Sequence, residues 1–151
     1  MKNIVICANL NDDSLELLRA LKGSALLKES ATIHMVHCFE IQIYTSDLAP
    51  YVFPTKEKYP EIEEASLRVL DELREKLEIP KERSVEKCFF SESPKKKIKD
   101  YLDEVDADLC IIATRGKHGS QGFFSSSFAE HMVKYSPCDI HIMRPNAEHH
   151  I

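Results

Sequence analysis

The chain has 151 residues, 43% of them hydrophobic and 30% charged, with a formal net charge of −5 at pH 7. That length suits one domain with a single substantial core, and no apolar run approaches the roughly 18 residues of a membrane-spanning helix. The negative balance argues against general nucleic-acid binding, which needs a basic face to neutralise phosphates.

Met1-Lys2-Asn3 leads into only a few apolar residues before Asn9, Asn11, Asp12 and Asp13. That run is too short for an export signal, so a cytoplasmic protein is expected. Ile4 to Ala8 is a continuous apolar run, the pattern of a strand buried on both faces of a parallel sheet. A helix follows, for which Asp13 is the expected cap, with Glu16 three positions on and Leu17, Leu18 and Leu21 as the buried stripe. Gly23 weakens or ends it.

Ile33 to Phe39 reads as the second strand. Glu61 to Leu77 carries Ile62, Ala65, Val69, Leu70, Leu73 and Leu77 at helical spacing, and Ile79-Pro80 stops it. Val85 to Phe90 is the third strand. Pro94 after Ser93 opens a helix with Ile98, Tyr101, Leu102 and Val105 on one face. Leu109 to Ala113 is the fourth strand. The last helix spans Ser126 to Tyr135, burying Phe128, Ala129, Met132 and Val133, and Pro137 closes it. Cys138, Ile140 and Ile142 then alternate with Asp139, His141 and Met143, the two-faced pattern of a sheet edge. Strands alternating with helices predict an α/β fold, an open five-stranded parallel sheet flanked by helices. One domain over 1–145 and a flexible tail over 146–151 are expected.

The connection from Glu40 to Pro60 is the one long irregular piece. Ile41, Ile43, Tyr44, Leu48, Tyr51, Val52 and Phe53 are too apolar for a solvated loop, while Pro50, Pro54 and Pro60 discourage a helix. Packing over the domain's own surface or against a partner subunit is expected ahead of a ligand lid. The cysteines Cys7, Cys38, Cys88, Cys110 and Cys138 are odd in number and never spaced C-x-x-C. They read as core filler rather than a disulfide framework or zinc site. Lys95-Lys96-Lys97 with Lys99 reads as a solvated helix face.

Three of the four glycines, Gly116, Gly119 and Gly122, follow the fourth strand and precede Ser125-Ser126-Ser127. Glycines before a helix N-terminus can build a phosphate cradle, because the unpaired N–H groups and the helix dipole favour an anion. In an open parallel sheet, ligands bind where the strand order reverses, beyond the carboxyl ends of the strands. Cys7-Ala8-Asn9-Leu10 and Ala113-Thr114-Arg115-Gly116 leave the two strands expected to flank that point. Neither the Walker pattern nor G-x-G-x-x-G is present.

The opening strand, the Met35-Val36-His37-Cys38 strand, the Ser93-Pro94 helix start, Ala107 to Gly116 and the closing segment Ser126 to Met143 together resemble the universal stress protein family along nearly the whole chain. The resemblance implies a Rossmann-like, adenine nucleotide hydrolase-like sheet of order 3-2-1-4-5. Family members that bind ATP carry G-x2-G-x9-G-[S/T] after the fourth strand; here that register reads Ala113-x2-Gly116-x9-Ser126-Ser127. Asn9 replaces the aspartate that usually follows the first strand, which removes a carboxylate that helps hold a divalent metal.

What the resemblance implies is a stress-response or signalling module binding ATP or another adenine nucleotide through a degenerate glycine motif. Ala8, Asn9 and the Cys38 backbone would lie around the adenosine, with Ala113, Gly116, Ser126 and Ser127 around the phosphates. Arg115 and Lys117 add positive charge. No metal site is expected. The alternative is a family member that has lost the nucleotide and acts as a dimeric protein-interaction module. A homodimer through the edge strand Cys138 to Met143 is expected, with no nucleic-acid or membrane partner. A receiver or hydrolase on a similar sheet lacks its acceptor aspartate, since Ser91 and Glu92 follow the third strand. No Ser/His/Asp or Cys/His set can be assembled, so at most slow ATP hydrolysis is expected.

Overall fold

The computed structural model describes residues 2–45, 49–114 and 126–144. Five parallel strands form the main sheet: β1 (Lys2–Cys7), β2 (Ser30–Glu40), β5 (Ser84–Ser91), β6 (Leu109–Ala113) and β7 (Asp139–Met143), in the order β5-β2-β1-β6-β7. Renumbered among these five, that is the expected 3-2-1-4-5. The central strand β1 pairs Ile6 with Met35 of β2 on one side and with Ile111 of β6 on the other. Its apolar run is continuous because both faces are covered.

On one face lie α1 (Asp12–Arg19), α2 (Ala25–Glu29) and α3 (Tyr59–Lys76). Leu18, Leu27, Leu70 and Leu73 from these helices pack with Ile4, Ile6, Ile33, Met35 and Ile111. On the other face, α4 (Pro94–Glu104) and α5 (Ser126–Tyr135) bring Ile98, Leu102, Phe128 and Met132 against Val5, Val36, Cys110 and Ile112. No helix among the described residues is long and apolar enough to cross a membrane.

Several local expectations are corrected. The cap of α1 is Asn11, whose side chain accepts from Ser14 N at 2.9 Å, and Asp13 lies within the first turn. The helix ends at Arg19, before Gly23, which adopts φ 74°. The five-residue α2, capped by Ser24, was not legible as a separate element. In α3, Ser66 turns inward and Ala65 outward, since the buried stripe continues through Leu70 and Leu73. Pro60 occupies the first turn of α3, where a missing N–H costs nothing. Val133 is 61% exposed, not buried. The buried face of α5 is carried by Phe128, Ala129 and Met132, and Val133 lies off it.

The connection after Glu40 is not irregular throughout. β3 (Gln42–Tyr44) and β4 (Tyr51–Phe53) form a separate antiparallel pair, followed by a 3-10 turn at Lys56–Lys58. β-Branched and aromatic residues favour this hairpin, and the prolines bracket β4 without entering it. Ser93 and Pro94 start α4 as expected, with Ser93 Oγ accepting from Lys96 N at 3.3 Å. Gly116, Gly119, Gly122, Arg115, Lys117, Pro145 and the tail 146–151 lie outside the described residues, as do Leu48 and the side chain of Ser126.

Candidate functional site

The order β5-β2-β1-β6-β7 places the reversal of strand order between β1 and β6. Cys7 pairs with Ile112, so Ala8 and Ala113 continue the same register side by side at the carboxyl ends of their strands. Both are fully buried and belong to the core cluster on the α1–α3 face. The methyl group that Ala113 adds at the glycine register is therefore spent in the core. Asn9 is 1% exposed and Thr114 3%, so two polar side chains are enclosed at the strand ends. Thr114 N donates to Met143 O at 2.9 Å, which ties the exit of β6 to β7.

On the other side of β1, Ala8 N donates to Val36 O at 2.9 Å, and His37 Nδ1 donates to Ala8 O at 2.8 Å. A carbonyl can only accept, so Nδ1 carries the proton and Nε2 keeps its lone pair in the neutral ring. Burial lowers the His37 pKa to about 4, outweighing the opposing effect of the Ala8 hydrogen bond. Phe39 packs edge-on against the ring, with centroids 5.0 Å apart. Cys38 is buried on the α4/α5 face, and desolvation pushes its thiol up to about 12. It is neutral and unreactive, leaving its backbone as the useful polar group.

The other side of the candidate site is built from helices. α5 begins at Ser126, and the exposed Ser127 hydroxyl accepts from Lys95 Nζ at 3.3 Å. Lys95 comes from the first turn of α4, which packs beside α5. The lysine run lies on an exposed helix face, as expected, and its members still find partners. Lys96 pairs with Asp100 at 2.8 Å, Lys97 lies over the Phe89 ring at 5.0 Å, and Lys95 reaches the start of the next helix.

Of the candidate residues, Ala8, Asn9, Cys38 and Ala113 converge on adjacent strand ends, and Ser126 and Ser127 start α5. Sequence reasoning missed the roles of His37 and Lys95. The first is visible only as one residue of a quoted strand, and the second carries no local signal of a partner thirty-two residues away. Among the described residues, no group of three or more His, Cys, Asp or Glu is placed to hold a metal ion. The site offers buried amide and hydroxyl groups, a neutral imidazole and a helix N-terminus with an ammonium beside it. These suit binding a polar, anionic small molecule.

The family model described as "Universal stress protein family" matches residues 1–144. A search of curated proteins finds no match. Among solved structures, a universal stress protein in complex with cAMP is similar at 14% identity and a TM-score of 0.62, with 95% of this chain and 96% of that one covered. The universal stress protein UspA from Lactobacillus plantarum matches at 16% identity and a TM-score of 0.61, covering 95% and 97%. One from Archaeoglobus fulgidus matches at 19% and 0.61, covering 95% and 93%.

Proposed function

Since the chain belongs to the universal stress protein family, we propose that it is a cytoplasmic stress-response or signalling module that binds an adenine nucleotide at the carboxyl end of its sheet. The observation that carries this reading is the reversal between β1 and β6, where Ala8-Asn9 and Ala113-Thr114 leave adjacent strands and α5 begins after the second. The base and ribose would meet Ala8, Asn9 and the Cys38 backbone. The phosphates would meet the first turn of α5 at Ser126 and Ser127, helped by Lys95 and by Arg115, Gly116 and Lys117. An anion there is favoured by the unpaired N–H groups and the helix dipole. The cAMP complex of a structural neighbour makes a cyclic nucleotide one arm of the test.

Calorimetric titration with ATP, AMP and cAMP tests the proposal. Micromolar dissociation constants are expected for at least one, and Lys95→Ala should weaken the phosphate-bearing ligands about tenfold, as loss of one charge-assisted hydrogen bond implies. Absence of heat at millimolar concentrations of all three would sink it. That result would favour a second reading, a dimeric interaction module without nucleotide, consistent with the loss of two register glycines at Ala113 and Ser126. In either reading the dimer forms through β7, an edge strand whose neighbouring helix leaves Val133 and Tyr135 61% and 52% exposed. Val133→Lys with Tyr135→Lys should halve the mass of that assembly in light scattering.

A further inference from the structure

The β3–β4 hairpin is at odds with the rest of the surface. Ile43, Tyr44, Tyr51, Val52 and Phe53 are 42–60% exposed, so of the two expected coverings, the domain's own surface or a partner subunit, the first does not hold for these five. Tyr44 and Tyr51 stack across the two strands at 5.0 Å, and among the described residues no other ring contact of either is seen. A two-stranded hairpin is marginal in water without a further strand or a covered face. Its outer edges pair with no other strand among the described residues. Edge strands are commonly blunted by shortness, charge, proline or a bulge; Tyr51-Val52-Phe53 is short and bracketed by Pro50 and Pro54 but carries no charge of its own.

We infer that this hairpin is a self-association arm, in which β4 pairs antiparallel with β4 of a second copy across a two-fold axis. Three observations select a second copy as the occupant. First, the three-residue strand is self-complementary. Centred on Val52, antiparallel pairing sets Val52 opposite Val52 and Tyr51 opposite Phe53, the aromatic and β-branched pairs that stabilise such ladders. Pro50 and Pro54 limit pairing to those residues. Second, the stretch 41–55 carries one charged residue, Asp47, in a chain of net −5, so this is where two copies can approach without like-charge repulsion. A foreign partner selected by charge would have nothing here to recognise.

Third, the area suits a weak self-association. An aromatic side chain carries about 150–250 Å² of surface, so the exposed fractions of the three rings with Ile43 and Val52 amount to roughly 400–500 Å² per copy. Two copies reach about 800–1,000 Å², the size of weak, transient contacts rather than of standard specific interfaces. This contact is separate from the β7 edge. Two different two-fold contacts on one chain close into a tetramer when their axes are perpendicular.

Val52→Cys tests the pairing directly. Under mild oxidation it should give a disulfide-linked pair, because the two Val52 positions face each other on the axis, whereas Glu72→Cys on the exposed side of α3 should not. Val52→Lys places two ammonium groups opposite each other at a half-exposed, fold-tolerant position. It should halve the mass of the wild-type assembly at about 50–100 μM while leaving thermal unfolding monitored by circular dichroism intact. Combined with Val133→Lys and Tyr135→Lys, the mass should fall to the 17.3 kDa monomer. If the β7 reading alone fails, Val52→Lys still takes a dimer to a monomer. Cross-linking of Val52→Cys no greater than that of Glu72→Cys, or an unchanged mass for Val52→Lys, overturns the proposal and leaves the patch to a different protein.

Discussion

Replacing His37 with asparagine keeps a donor near the Nδ1 position, and hence the bond to Ala8 O, but removes a group that titrates between its unfolded and folded pKa values. In the folded protein that pKa is lowered from 6.5 to about 4, chiefly by burial. Between those values the unfolded chain binds a proton that the native state refuses, so stability rises with pH there. The contribution is fully present above about 6.5, is lost as pH falls and levels off below about 4. Linkage over that window gives a loss of about 2 kcal/mol between pH 7 and pH 5 from this one ring. For a urea m-value of about 2 kcal/mol/M, the wild-type midpoint should drop by about 1 M more than that of the His37→Asn variant. Burial and Lys87 also lower the pKa of His34, in hydrogen-bonding contact with Tyr101. It remains in both proteins and cancels in the comparison. Urea titrations of both proteins at half-unit pH steps measure the difference. Equal pH dependence in the two would refute the enclosed, neutral His37.

The ends of α3 and α4 yield a stability test. Glu78 and Asp106 occupy left-handed positions, φ 57° and 51°, in Schellman turns closed by Ile79 N to Arg74 O and Ala107 N to Leu102 O. Glycine is the usual residue there, so Glu78→Gly should stabilise by about 0.5–1 kcal/mol despite losing an exposed pair with Lys22. Thermal unfolding should shift up by about 1–4 °C, and a fall would contradict the backbone assignment. Asn11→Ala should cost about 1 kcal/mol through loss of the α1 cap. Asp13→Ala should cost clearly less in the same denaturation assay, the reverse of the order expected if Asp13 were the cap. Cys7, Cys38 and Cys110 are buried, so iodoacetamide should label them slowly at pH 8 and completely in urea, read by peptide mass spectrometry. Rapid native labelling of Cys38, whose thiol is pushed up to about 12, would contradict its enclosure.

The β6 and α5 boundaries, Leu109–Ala113 and Ser126–Tyr135, were legible residue by residue in the sequence. So was the Ser93-Pro94 start of α4. Each depends on a local rule: a continuous apolar run for a strand covered on both faces, a helical stripe, or a cap followed by proline. The site was legible only as a set of strand ends and a helix start. No local rule says that His37 donates to Ala8 O, or that Lys95 crosses to Ser127.

By itself, then, the sequence determined the alternation of strands and helices, the strands that are buried and the family to which the chain belongs. Only the tertiary structure decided that Ser66 rather than Ala65 turns inward, that Val133 stays exposed, that the apolar connection folds into an exposed hairpin, and which side chains meet at the strand ends. The physical reason is range. Periodicity, capping and turn chemistry act over a few neighbouring residues, whereas burial and side-chain partnership depend on which distant element packs alongside.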